Sequence, residues 1–173
     1  MTNVNKQLSK LRKEVGDLEK YTSKYYPNKY CFKYINRLSG IQFERYTAEL
    51  LNKIGVPAVQ TKGSEDFGVD VLGCLKRQNK KIKLGVQCKL YKCNEPVPYR
   101  AVEEITSGTS YYHLDKGIVL TNSKFTWNAL KGANRNHISM WDRNDLKILM
   151  MLANNNIHIT ELNKMLYLMN NTY

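Results

Sequence analysis

Asp70, Gln87 and Lys89 are the residues of this chain whose types and spacing could do chemistry together. Gln87 and Lys89 stand two apart in the run KIKLGVQCKL, and two residues at that spacing on a strand point to the same side. The preceding run, VDVLGCLK, is a second candidate strand, with a turn-like Gln78-Asn79 pair between the two. A hairpin symmetric about that pair sets Val69 opposite Cys88, Val71 opposite Val86, Gly73 opposite Leu84 and Leu75 opposite Ile82, so one face is apolar. On the other face Asp70 opposes Gln87, with Lys89 one step beyond. This register assumes an even turn and no bulge.

A carboxylate, an amide and an ammonium gathered at one strand end have two readings. In water they make an ordinary Asp–Lys ion pair, worth roughly 0–1 kcal/mol. Beneath helices the same charges cost several kcal/mol unless further partners reach them. A divalent cation held by Asp70 and the Gln87 side-chain oxygen would be such a partner, and Mg2+ suits a site with few carboxylates because it keeps several waters. Lys89 could then orient or help deprotonate a water attacking a phosphate. Glu44 is a fourth candidate, placed early in a helix beside its apolar face, where it could reach the ion directly or through water; a helical Glu is otherwise usually solvated.

The elements that must position these residues follow from periodicity. Ser39 and Gln42 have capping-box spacing, and Phe43, Thr47, Leu50, Leu51 and Ile54 mark one face of a helix from about Gly40 to Ile54, ending at Gly55. Strands VPAVQTK, VDVLGCLK and KIKLGVQCKL come next, then a helix over Ala101–Tyr112, an apolar strand GIVL, a helix in FTWNALKGANRN, a short strand ISMW and a helix in RNDLKILMML. Helix, three strands, helix, strand, helix is the order of an α/β fold around a mixed sheet. Residues 1–38 are expected to form an amphipathic helix, with a seam of Leu8, Leu11, Val15 and Leu18, and a Tyr/Lys connector; residues 39–150 form the domain and 151–173 a helical tail packed on it. The connector's tyrosines could stack on bases or simply pack on the core.

The chain has 173 residues, 42% of them hydrophobic, and no apolar run near the roughly 18 residues of a membrane span, so a soluble, cytoplasmic protein is expected. Lys and Arg number 27 against 15 Asp and Glu, a net charge of +12 that favours a polyanionic partner. Cys31, Cys74, Cys88 and Cys93 form no C-x-x-C pair and are expected as free thiols; no zinc site is expected from them or from the isolated His113, His137 and His158.

Phe43-Glu44 early in a helix, Asp66-x-Gly68-x-Asp70 after a strand and Gln87-Cys88-Lys89 on a later strand resemble the catalytic domain of Mrr-type restriction endonucleases. VLTNSKFTWNA and WDRNDLKILM are similar to that family's later strand, helix start and closing segment. The resemblance implies a restriction-endonuclease-like fold and Mg2+-dependent hydrolysis of DNA, with Mn2+ as a substitute. Carried over residue by residue, it implies Asp70 and Gln87 as metal ligands, the Cys88 carbonyl as a third, Lys89 as the catalytic lysine and Glu44 as an accessory acid. Asp66 would shape the loop. Phe67 stands where the family often has Gly, so the loop would present an aromatic to substrate. Lys62, Lys92 and Arg100 join it as candidate DNA contacts.

Gln87 stands where many relatives of the wider nuclease superfamily have Glu, which removes a negative charge from the implied site and should weaken metal binding; the Mrr branch itself commonly has Gln. No DNA-reading domain is recognised ahead of the core, which leaves two substrate classes, foreign or modified DNA and branched junctions. A homodimer is expected, since one such site cuts one strand. A non-catalytic DNA-binding protein on the same scaffold, or an N-terminal helix that recruits a protein partner, are the competing readings.

Overall fold

A short helix, α1 (Phe32–Ile35), turns the chain inward and buries Ile35 completely. Ser39 then starts α2 (Gly40–Lys53) with both halves of a capping box, its hydroxyl taking the Gln42 N–H and the Gln42 side chain taking the Ser39 N–H. The computed structural model describes residues 29–62, 67–77, 80–92 and 95–159. The expected N-terminal helix, the outer C-terminal helix, Asp66, Cys93 and the Gln78-Asn79 turn lie outside the described residues.

β1 (Ala58–Gln60), β2 (Val71–Arg77), β3 (Lys80–Lys89), β4 (Lys116–Thr121) and β5 (Ser139–Trp141) line up in sequence order as one five-stranded sheet. The first three are antiparallel, while β4 and β5 run parallel to β3. The parallel strands need crossovers, supplied by α3 (Arg100–Tyr111) and α4 (Trp127–Arg135). α5 (Arg143–Asn154) closes the described order behind an Asp142–Asp145 capping box. The F-T-x-x-A run is a helix cap: Thr126 accepts from the Ala129 N–H, and the helix starts only at Trp127.

Two apolar layers sandwich the sheet. Ile35, Phe43, Leu50 and Leu51 meet Val71, Val86, Ile118, Leu120 and the α5 residues Leu146 and Leu149 on one face. On the other, α3 and α4 bring Val102, Ile105, Ala129 and Ala133 against Val119. Within the connector, Tyr30 and Tyr34 set their rings 5.9 Å from the buried Tyr46, which is the packing reading of those two tyrosines.

The hairpin register holds from Val71↔Val86 to Leu75↔Ile82, as the turn-symmetric pairing requires, and then fails at the end that matters. β2 begins at Val71, so neither Asp70↔Gln87 nor Val69↔Cys88 is a ladder pair. The Asp70 N–H instead donates to the carbonyl of Val86, the residue already paired with Val71. Val69 and Val71, two apart, therefore pack in opposite layers. The register expectation assumed a straight strand, and the chain bends at Asp70.

Candidate functional site

The bend at Asp70 is held by close approach of the preceding loop to α3. Gly68 has φ +83°, and a Cβ there would lie 2.3 Å from the Glu104 carbonyl oxygen. Across the contact, a Cβ on Gly108 would lie 2.4 Å from Val69 Cγ2. Two missing side chains thus let the loop seat against the helix, which turns the Asp70 carboxylate inward over the end of β3.

There Asp70 Oδ2 accepts from Gln87 Nε2 at 2.7 Å and from the Cys88 N–H at 2.5 Å. Asp70 and Gln87 are 4% and 5% exposed, so the solvated reading of this group does not apply to them. The Gln87 Oε1 atom is buried without a hydrogen-bond partner. Burying such an acceptor costs about 1–3 kcal/mol, which a cation or a water would recover.

A cleft of about 430 Å³ opens over this group, lined by Glu44, Gly68, Asp70, Gln87, Cys88, Lys89 and Glu104. α2 brings Glu44 from one side, where Gln60 Nε2 donates to its Oε2 at 2.9 Å. α3 brings Glu104 from the other. Lys89 Nζ sits 2.6 Å from Glu104 Oε2, and Arg100 Nε donates to Glu104 Oε1 at 3.1 Å. Lys89 is therefore paired with a helix carboxylate rather than with Asp70, the partner that strand spacing suggests.

Cys88 borders the cleft, but its thiol is packed in the first core layer. Burial pushes that thiol well above its ordinary range, and the nearby Asp70 carboxylate adds to the rise. It stays protonated, so only main-chain atoms of Cys88 can serve as polar groups in the cleft. Among the described residues no three His, Cys, Asp or Glu side chains gather as metal ligands. A cation here would depend on the neutral oxygen of Gln87 beside Asp70, and the unpartnered Oε1 fits that need.

The restriction endonuclease family model for the Mrr catalytic domain matches residues 35–150, more than half of the 173-residue chain. The chain belongs to the restriction endonuclease family. The restriction endonuclease FokI is similar in fold, with a TM-score of 0.58 and 15% identity over 94% of this chain and 33% of that one. The DNA modification-dependent restriction endonuclease AspBHI gives 0.51 and 14%, over 92% of this chain and 38% of that one. AF1548, a protein of unknown function, gives 0.50 and 15%, over 60% and 58%. The chain thus spans less than two thirds of each of these structures, and at such identities the likeness is one of fold. None of the curated proteins matches the chain.

Within this restriction-endonuclease fold, the structure brings Glu44, Asp70, Gln87 and Lys89 to one cleft, and none of the candidate DNA contacts lines it. Arg100 lies beside the cleft, tied to Glu104, with its side chain 82% exposed. Lys92 and Lys62 are exposed, and Lys92 lines a separate groove. Phe67 is 48% exposed at φ +47°, its ring stacked 3.8 Å from that of Tyr111 on α3. That backbone region costs a side-chain-bearing residue roughly 1–2 kcal/mol, which accounts for Gly being at home at this place. Glu104 is the residue that sequence reasoning missed. Its spacing of four from Arg100 shows only that the two share a helix face; nothing local in the chain tells that this face meets Lys89.

Among the described residues no helix is long and apolar enough to cross a membrane.

Proposed function

We propose that this nuclease domain hydrolyses DNA phosphodiester bonds in a Mg2+-dependent reaction at the Asp70–Gln87–Lys89 cleft, with Mn2+ able to replace Mg2+. The observation that carries the reading is Gln87 Oε1, buried without a partner against the buried Asp70 carboxylate. Asp70, the Gln87 side-chain oxygen and the Cys88 carbonyl would hold the ion, with Glu44 reaching it directly or through water. Bound there, the ion would offset the charge that builds on the phosphate oxygens as water attacks.

The chain's own groups do the rest. Lys89 Nζ can donate to the attacking water or to a phosphate oxygen, and Glu104 keeps that ammonium from swinging out of the cleft. Attack forms a bond from the water oxygen to phosphorus and breaks one bond from phosphorus to a sugar oxygen; Glu44, which lines the cleft, would take the water's proton. One such site cuts one strand, so we propose that double-strand cutting is done by a homodimer.

Incubating the full chain with linear, modified and four-way-junction DNA tests the reaction and its substrate class together. We expect at least one of these to be cut in Mg2+ or Mn2+, with no cutting in chelator. Lys89→Ala should lower the rate by about 100-fold or more, as removal of a charge-stabilising group does. A parent protein that cuts none of them, or a Lys89→Ala variant as fast as the parent, would overturn the reading.

A further inference from the structure

A groove of about 850 Å³ lies apart from the cleft that holds Asp70. It lies where the α1–α2 connection, the chain after β3 and the start of α5 meet, and Arg37, Lys92 and Arg143 line it without any acidic side chain among the described residues. Neither Arg37 nor Lys92 forms an ion pair within them, and both are exposed. Arg143 is pinned instead: its guanidinium stacks 3.6 Å above the Phe32 ring and donates to the Asn122 carbonyl at 3.1 Å.

The floor of the groove is tied by hydrogen bonds. The buried Asn122 side chain accepts from the Tyr91 N–H at 2.9 Å and donates to the Tyr91 carbonyl at 2.8 Å, clamping the chain just beyond β3. Tyr91 also lines a recess shared with Lys89, Arg100 and Glu104. One clamped segment, Lys89 to Lys92, therefore runs from the catalytic cleft to the groove. Three residues span at most about 11 Å. Duplex DNA carries a phosphate every ~3.4 Å of axis on each strand, so a strand with one phosphate at Lys89 has others within reach of Lys92.

We propose that this basic groove is a second DNA-contact site, which grips the phosphodiester backbone a few nucleotides from the bond to be cut. It rests on the nuclease reading for its orientation, but binding can be measured without cleavage. Three cations with no acid between them suit a chain of phosphates, and the exposed Arg37 and Lys92 are open to it. Because the groove meets backbone rather than base edges, it fixes the register of the strand and adds affinity without sequence preference.

The test is the binding of a short labelled duplex in chelator as salt is varied. Arg37→Ala/Lys92→Ala should raise Kd about 10-fold and flatten the slope of log K against log salt by about 2, one unit for each phosphate that is no longer neutralised. The comparison is Lys80→Ala/Lys81→Ala, which removes the same charge from the exposed hairpin far along β3 and should change both quantities by less than half as much. Equal effects in the two pairs would reduce the groove to net charge alone and overturn the proposal, as would no effect in the first pair. Binding to phosphatidylserine vesicles that the first pair abolishes, with DNA affinity untouched, would overturn it in favour of a lipid surface. A parent that binds through the groove yet never cuts defeats only the nuclease reading; groove variants that bind and cut like the parent defeat only this one.

Discussion

Gln87 answers two demands with one amide. Its nitrogen neutralises part of the Asp70 carboxylate, while its oxygen is left buried without a partner. A carboxylate in its place would keep the acceptor and lose the donor, setting two negative charges against each other in a buried site. Gln87→Glu is therefore expected to lose about 1–3 kcal/mol of stability in chelator. In Mn2+ it should gain it back, with the ion bound at least about 10-fold more tightly, or ~1.4 kcal/mol. Thermal unfolding with and without Mn2+, alongside titration calorimetry, reads both. In the proposed reaction Glu104 would act through Lys89, with which it is paired, as a positioning residue. Glu104→Gln removes the charge that holds the ammonium, so kcat should fall about 10- to 100-fold, with KM within about twofold and the melting temperature nearly unchanged. A fall confined to stability or to KM would assign it a structural role.

At the scale of elements, the site is the meeting of a bent strand end with two helices on opposite faces of the sheet. α2 carries Glu44 on one side and α3 carries Glu104 on the other, and the loop through Phe67, Gly68 and Val69 reaches across to α3. The loop's seat depends on Gly68. Gly68→Ala would put a methyl 2.3 Å from the Glu104 carbonyl oxygen at a φ of +83°. The backbone cost alone is about 1–2 kcal/mol, and the collision adds to it. Urea unfolding should show a loss of at least about 2 kcal/mol, and cleavage should fall further than stability explains, because the same loop aims Asp70 and the same helix holds Lys89. A variant as stable and as active as the parent would mean that the loop can retreat from α3 without moving Asp70.

For the molecule as a whole, two buried acids set an alkaline limit. Burial raises the Cys88 thiol well above its ordinary 9.0 and the Tyr46 phenol above its ordinary 10.0. Above those values the unfolded chain has released protons that the folded chain still binds, so stability falls as pH rises. The loss begins near pH 9, where an unfolded thiol titrates, and grows through the range of the unfolded phenol. Cys88→Ala should flatten the first part of that fall, at the cost of a small cavity, while leaving the fall above pH 10 to Tyr46. Unfolding midpoints measured from about pH 7 to about pH 11 check both halves.

Much of this was legible in the chain because it is local. Ser39 with Gln42 marks where α2 begins, the alternation in KIKLGVQCKL marks a strand, and the symmetric turn sets its register from Val71 to Leu75, since each depends on neighbours a few residues apart. The motifs around Glu44, Asp70, Gln87 and Lys89, taken with the two later segments, were enough to name the family, which the match over residues 35–150 shows. Periodicity could not foresee the bend at Asp70, which puts Val69 and Val71 in opposite core layers, because it is imposed by α3 pressing on Gly68. Nor could it assign Glu104 to Lys89 or gather Arg37, Lys92 and Arg143 into one groove, since those residues come from elements far apart in the chain. The sequence determined the elements and the side-chain types they carry; the distances between those side chains were decided by how two helical layers close on one sheet, a matter of packing that no short stretch of residues encodes.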